Sequence, residues 1–383
     1  MTVTDLSIAI VGAGMGGLTA AAALRQMGAK VQVYEQAGSF TRIGAGIQML
    51  PNSMKVLRRI GVEEKLRAFA FAPLSHLNRV WDTGEVITEL AMPEDRYDAP
   101  YLCMHRGDLH EALCSVVPAE AIHLGKKLIS LELGGDGVRL VFADGSHAEA
   151  DALVGADGLH SLVRETILGP EHPRFSGRVA YRAVFPTSLL HGSDLGSSRT
   201  KWWGPDRHIV IYYTTNTKSE VYFVTSVPEP VEWMTPESWS AKGDVRELRA
   251  AYAGFHPEVR AVLDACPDCH KWAILDRDPL PRWSQGRVVL LGDACHPMTP
   301  YMAQGAATSM EDAAVLTRCL DEASDIETAF QLYEEHRKPR TSRVQAISSA
   351  NTWMNSPTNE NPDWLYGYDA WTAPLSVPAP AGA

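Results

Sequence analysis

The chain is short of positive charge, of long apolar runs and of cysteine, and each shortage excludes something. Its 35 Lys and Arg stand against 46 Asp and Glu, a formal net charge of −11. That excludes nucleic acid and an anionic membrane surface as the principal partner. A small anionic substrate stays open, because a few local arginines overrule a total. No apolar run approaches the ~18 residues that a membrane-spanning helix needs. No basic segment with a cleavage site precedes the first apolar strand, so the expected location is the cytoplasm. Only six of the 383 residues are cysteine. Cys266-Pro-Asp-Cys269-His270 has the spacing of a haem-attachment or redox motif. Covalent haem needs export, however, and a four-ligand zinc site needs a second Cys/His pair at suitable spacing, which the sequence lacks. These thiols are expected to be structural, in a turn from helix to strand, and no metal site is expected. There is no internal repeat.

What remains is an ordinary folded chain, 45% hydrophobic and 21% charged, long enough for two domains or one composite domain. Its most informative stretch is Ile8-Ala-Ile-Val-Gly-Ala-Gly-Met-Gly-Gly17, an apolar run leading into Gly12, Gly14 and Gly17 and then into the alanine-rich run to Leu24. This reads as strand, tight turn and helix. Gly12 lets the chain turn, Gly14 lets backbone approach a pyrophosphate, and Gly17 lets helix and strand pack closely, with the helix N-terminus facing the phosphates. A second apolar run, Val31 to Glu35, ends in an acid about twenty residues on, where a carboxylate receives ribose hydroxyls. The motif marks a dinucleotide site without choosing between FAD and NAD.

Further along, two glycines at Gly44 and Gly46 suggest a loop pressed against something flat. Helices are expected at 52–57 and 63–68, strands over 77–90, and a helix after His105 with Asp108 as its N-cap. A strand is expected from Ile122 to Leu133, followed by a hairpin to Phe142. Ala152-Leu-Val-Gly-Ala-Asp157-Gly158 repeats the strand–glycine–helix pattern. Residues 175–227 alternate and are rich in aromatics, which predicts an antiparallel sheet. A proline-rich linker and a helix at 244–253 fill 228–265. A buried strand then leads to Gly292-Asp293, a helix opens near Gln304-Gly305-Ala306, and another spans 326–350. The end is aromatic and finishes in a Pro/Ala tail expected to be flexible.

Three glycine–acid turns thus stand in order: Gly12 to Gly17, Asp157-Gly158 and Gly292-Asp293. Together they resemble the class A flavoprotein monooxygenases, the aromatic hydroxylases of the para-hydroxybenzoate hydroxylase fold. The resemblance implies an α/β fold: a discontinuous Rossmann-like FAD-binding domain (1–75, 98–175 and 276–345) and an antiparallel-sheet substrate domain (76–97 and 176–275), with a C-terminal aromatic segment and tail at 346–383. It implies bound FAD, NADH or NADPH as a transient co-substrate, O2, a small aromatic substrate, and hydroxylation through a flavin C4a-hydroperoxide. A homodimer is the candidate assembly. In this family the first turn takes the ADP half of FAD. The second, with Ser161 and Arg164, serves FAD and the reduced nicotinamide. The third gives Asp293 to the ribityl chain and Pro300 to the flavin face that meets oxygen. Gln36, Arg42, Gly46, Arg106 and Leu128 fall at further FAD positions by the same resemblance. A helix N-terminus at Gln304, Gly305 and Ala306 also suits the negative charge of reduced flavin at N1 and C2=O.

Several stretches of the second layer and the C-terminal segment resemble the branch of the family that acts on 6-hydroxynicotinate-type rings: Lys201-Trp-Trp203, Asp206-Arg-His208, Tyr212-Tyr-Thr-Thr215 and Tyr222-Phe-Val-Thr225, then Ala350-Asn-Thr-Trp353 and Tyr366-Gly-Tyr-Asp369. This implies decarboxylative (ipso) hydroxylation to 2,5-dihydroxypyridine. The chain departs from that branch where Gln48 and Tyr301 stand in place of histidines and Arg199-Thr200 replaces a stretch bearing a cysteine. A 6-hydroxy-3-acylpyridine such as 6-hydroxy-3-succinoylpyridine, or a para-substituted phenol, is the alternative ring.

Ionising a ring hydroxyl needs a base or relay. His208, Val210 and Tyr212 alternate along one strand and share a face. His208 and Tyr212 are therefore the candidate catalytic residues, with Gln48 and Tyr301 as orienting partners. Trp202, Trp203 and Tyr222 are expected as pocket wall or core, Met298 and Met302 as apolar lining near the flavin, with Trp202, Tyr222, Met298 and Arg199 assigned to the substrate pocket. Arg199 and Arg182 are candidate partners for a substrate carboxylate or acyl group. A flavin halogenase lacks support, because its lysine and tryptophan-rich signature is missing. An epoxidase on this fold, or a flavin-free binding protein like the GDP-dissociation inhibitors, is the remaining rival.

Overall fold

The computed structural model describes residues 3–42, 45–230, 232, 241–354 and 361–375. Gly44 and the tail beyond residue 375 lie outside the described residues.

The run Ile8–Val11 is apolar on both faces, as a strand covered on both sides must be. It forms strand Ser7–Val11, which pairs in parallel with Lys30–Tyr34 on one side and Ala152–Gly155 on the other. Ala152–Gly155 pairs in parallel with Val288–Leu290. Ser284–Gln285 and Ile122–His123 complete a six-stranded sheet. The three glycine–acid turns thus leave the carboxyl ends of three adjacent parallel strands, where open α/β sheets bind their ligands. Helices Met15–Gln26 and Gly305–Glu322 pack against each other, and both keep small side chains on the buried side.

The aromatic, alternating stretch forms an eight-stranded sheet. Its order is Lys242–Gly243, Cys269–Asp276, Arg174–Pro186, Glu220–Pro228, His208–Tyr213, Arg199–Trp203, Ser75–Val80 and Val86–Ala91. All pairings in it are antiparallel except that of Arg199–Trp203 with Ser75–Val80. A separate pair, Gly46–Met49 with Leu102–His105, stands beside the first glycine turn. One hydrophobic core lies under the parallel sheet and a second, richer in aromatics, under the large sheet.

Three sequence expectations are corrected. The run 122–133 is two strands: Ile122–His123 joins the parallel sheet and Leu128–Leu133 a three-stranded antiparallel one. Gly125, at φ 71°, turns the chain between them, and its N–H is held by the Ala37 carbonyl. The N-cap of helix Arg106–Cys114 is His105, whose Nδ1 accepts the Gly107 N–H at 3.0 Å. Asp108 sits inside the first turn and pairs with Arg42. A second helix, Pro257–Ala265, follows Val245–Ala251. Cys266 and Cys269 are free and buried where that helix hands over to strand Cys269–Asp276. No described helix is long and apolar enough to cross a membrane.

Candidate active site

The groove at the carboxyl ends of the parallel strands is built from backbone. Gly12 has φ 103°, and a Cβ there would lie 2.3 Å from the Ala156 carbonyl oxygen. A Cβ on Gly17 would lie 2.0 Å from the Gly12 oxygen. Gly14 differs: a Cβ there meets nothing within 4 Å, so the space before it is open. Helix Met15–Gln26 starts directly behind, with no side chain capping its first N–H groups. Glu35 is held over this turn, its two carboxylate oxygens accepting from Ala13 N (2.9 Å) and Ala37 N (2.8 Å). On the far side, helix Gly305–Glu322 also starts without a side-chain cap. Asp293 and Arg106 are exposed yet ringed by protein, as the walls of a deep groove are, and Pro300 is exposed. Asp293 faces Gly305. Burial pushes its carboxyl up, with His296 and Arg106 opposing. An open Gly14, two uncapped helix starts and an acid near the first turn fit a dinucleotide with an attached anionic ring.

Other expected cofactor residues take varied places. Asp157 accepts from Ser161 Oγ (2.5 Å) and Val163 N (3.1 Å), so its carboxylate holds the second turn together. Gln36 is exposed, and Leu128 is buried in the first core. Arg42 is exposed and bridges Asp108 at 2.7 Å and Glu220 at 3.2 Å. It thereby ties the helix after His105 to the large sheet.

Behind the Gln304–Gly305 helix start lies a buried charge network that sequence reading missed. Arg337 pairs with Glu311 (2.8 Å) and Asp312 (2.7 Å), Arg340 pairs with Glu311 (2.8 Å), and His296 contacts Asp312 at 2.5 Å. Asn52 donates to both Glu311 (2.6 Å) and Gln304 (2.9 Å). Asp312 also accepts the Gly292 N–H at 3.2 Å, so the network joins the third turn to the helix start. Burial alone would raise both carboxyls, but the arginines, with His296 at Asp312, hold them below their ordinary range. Cys295, His296 and Asp312 are close enough to hold a metal, yet the Asp312 carboxylate is already committed to Arg337 and His296. The only earlier hint was charge at Glu311-Asp312 and Arg337, whose spacing from the glycine turns is not local.

The large sheet presents the rest of the site. A narrow cavity, with about 10 Å³ of accessible space, is lined by Gln48, Arg199, Lys201, Tyr301, Met302 and Tyr366, with His76, Ala303, Trp353 and Met354 completing it. Two clusters hold the four expected catalytic residues. In one, Gln48 bonds to Tyr212 and accepts the Tyr101 hydroxyl at 2.5 Å. In the other, the His208 ring lies edge-on to Tyr301, centroids 5.3 Å apart, and Tyr301 shares a 2.9 Å hydrogen bond with Ser226. Gln48 and Tyr301 line the cavity, and Tyr212 and His208 stand behind them. Burial pushes the Tyr212 and Tyr101 hydroxyls well above the usual range, so both remain donors. Burial, with Lys201, Arg178 and Arg199 nearby, drives His208 well below, so its imidazole is neutral. Gly46 is needed here, because a Cβ would fall 2.5 Å from the Tyr222 ring and 2.8 Å from the Tyr212 hydroxyl.

Trp202 does not reach the cavity, which corrects the expectation that it forms the wall. It alternates with Lys201 and Trp203 and so points through the opposite face of the sheet, where its ring stacks on His256 at 4.9 Å. Arg182 lies 3.5 Å over the Trp272 ring and away from the lining. Met298 approaches Gly305 from the groove side. His76, Lys201, Trp353, Met354 and Tyr366 were not foreseen in these roles. Only Lys201 carried a signal, a lysine at the same parity as Arg199 inside an apolar strand. A larger open depression of about 570 Å³ over the Leu133–Gly137 turn touches none of these residues.

The parallel sheet thus carries a dinucleotide groove, and the large sheet carries a small cavity with polar groups in its lining. Residues 5–348 match the family described as FAD binding domain, and the chain belongs to it. The chain is 47% identical over 373 residues to 6-hydroxynicotinate 3-monooxygenase of Bordetella bronchiseptica, covering 96% of each. It is 38% identical over 344 residues to 3-amino-4-hydroxybenzoate 2-monooxygenase of Streptomyces cremeus, covering 89% of this chain and 85% of that one. Klebsiella pneumoniae HpxO, solved with FAD and uric acid, superposes with a TM-score of 0.81 at 28% identity over 92% of this chain and 90% of that one. The protein is an FAD-dependent monooxygenase of the para-hydroxybenzoate hydroxylase fold, and the flavin-free reading is set aside.

Proposed function

We propose that the enzyme hydroxylates 6-hydroxynicotinate or a near relative at the carbon bearing the carboxylate, releasing CO2 and 2,5-dihydroxypyridine. One oxygen atom of O2 enters the ring, the other leaves as water, and NADH or NADPH supplies the two electrons. FAD, bound across Gly12–Gly17, Glu35, Asp293 and Gly305, supplies the hydride acceptor and the oxygen chemistry. The observation that carries this reading is the cavity itself: small, buried, and lined by hydrogen-bonding groups and two basic side chains set among Met302, Ala303, Trp353 and Met354.

The chain's own residues have separable tasks. Gln48 lines the cavity and meets the ring hydroxyl oxygen as it ionises, and Tyr212 behind it holds the Gln48 amide. His208 is neutral and stands against Tyr301, where it can accept that proton through the Tyr301–Ser226 hydroxyls. Trp353 and Tyr366 close the cavity against water.

The test is turnover of 6-hydroxynicotinate by the FAD-loaded enzyme with NADH, the product followed by mass. Formation of 2,5-dihydroxypyridine with one oxygen atom from labelled O2 is expected. Coupled turnover of a 6-hydroxy-3-acylpyridine or 4-nitrophenol, with none of the acid, overturns the substrate and keeps the class.

A further inference from the structure

Lys201 and Arg199 are 2% and 7% exposed. They alternate on strand Arg199–Trp203, so both point from the same face into the cavity. Among the described residues neither side chain has a carboxylate partner or donates a hydrogen bond to the protein. Lys201 contacts only rings, 3.5 Å from the Trp203 centroid and 5.9 Å from that of Tyr301. Arg199 Nε is buried without an acceptor. Beside them His76, 4% exposed, has neither ring nitrogen bonded. It is clamped between Tyr101 and Tyr366, with centroids at 4.6 and 6.0 Å.

Burying two cations without a counter-charge is costly, and proteins offset that cost by pairing. Here three buried donor-bearing groups converge on one small cavity and the chain provides no anion for them. The missing partner therefore belongs to the ligand. We propose that Lys201 and Arg199, with His76, form the subsite for an anionic substituent, a carboxylate, on the ring substrate. This rests on the reading of the cavity as the substrate site and adds the chemical class that the site selects. Neutral rings of the same shape supply no counter-charge to either basic group, so they bind weakly.

The probes are two acid–amide pairs, 6-hydroxynicotinate with 6-hydroxynicotinamide and benzoate with benzamide. Binding to the FAD-loaded enzyme is read from the flavin absorption spectrum without NADH. In the unaltered enzyme each acid is expected to bind at least about 30-fold tighter than its amide. Lys201→Met and Arg199→Met should each lower affinity for the acid by about tenfold or more and leave the amide unchanged, and Lys201→Arg should restore part of the preference. A purely structural lysine would shift acid and amide together. Equal affinity for acid and amide in the unaltered enzyme, or parallel weakening of both in the variants, overturns the proposal. Benzoate is not hydroxylated in this reading, so its binding tests the subsite even where turnover of 6-hydroxynicotinate fails.

Discussion

The cofactor groove and the substrate cavity are built by different means. The groove is made of backbone: a positive φ at Gly12, a 2.0 Å approach at Gly17, open space at Gly14, and helix starts that leave N–H groups free. Any sequence that satisfies those constraints makes nearly the same site. The cavity is made of side chains: His76, Arg199 and Lys201 from the large sheet, Gln48 from the two-stranded pair, and Tyr301 and Tyr366 from short helical turns. Nothing in the backbone demands any of them. A fold can therefore keep its cofactor while its substrate changes one side chain at a time.

The sharpest way to break this contrast is to give the groove side chains. Gly17→Ala puts a methyl 2.0 Å from a backbone oxygen, and the forced shift should cost about 3 kcal/mol or more. The purified protein should be colourless or unfolded. Gly14→Ala meets no atom, so its apo melting point should move by less than about 1 kcal/mol in stability while FAD binds more weakly. Equal loss in both variants would mean that the groove is not shaped by contact at these atoms.

The network behind the groove comes next. Removing Arg337 leaves Glu311 and Asp312 buried with less counter-charge, and Arg337→Met should lose about 3–5 kcal/mol in denaturant unfolding. The sign with pH follows from the depressed carboxyls. Their contribution is present above the ordinary carboxylate range and is lost as pH falls through it, so the unaltered enzyme should lose stability on acidification more steeply than Arg337→Met. The cavity should respond differently. Tyr212→Phe removes only a hydroxyl, and kcat/KM should drop by about 100-fold with flavin content and melting point unchanged. A variant that lost flavin instead would erase the distinction between the two regions.

The same contrast decides what was legible beforehand. Glycine turns and the strand runs feeding them are local, and they were read correctly together with the two-layer architecture. The Ile122–Leu133 error came from reading one strand through Leu124-Gly125-Lys126-Lys127, where a positive-φ glycine ends one strand before the next begins at Leu128. Trp202 was misplaced because adjacent residues of a strand point to opposite faces. Parity could have separated it from Lys201. The Glu311–Asp312–Arg337–Arg340 network and the His76–Tyr366 stack join positions far apart in the chain, and no periodicity encodes such a pairing.

The smallest effect probes the cavity by its electrostatics alone. Burial, with Arg199 and Arg178 nearby, drives the Lys201 ammonium well below the ordinary lysine range in the empty site. A bound carboxylate reverses this by supplying the counter-charge. Where the amine is neutral in the free enzyme and charged in the complex, binding takes up a proton, and affinity falls by about tenfold per pH unit as pH rises. The neighbours do not imitate this. His208 and His76 are held neutral by burial, Tyr301 is pushed upward by it, and the remaining facing charges are arginines. Benzoate affinity measured between pH 7 and 9 should therefore fall with pH in the unaltered enzyme, stay flat in Lys201→Met, and stay flat for benzamide in both. Parallel slopes for acid and amide would place the titrating group outside the cavity and leave Lys201 as packing for Trp203.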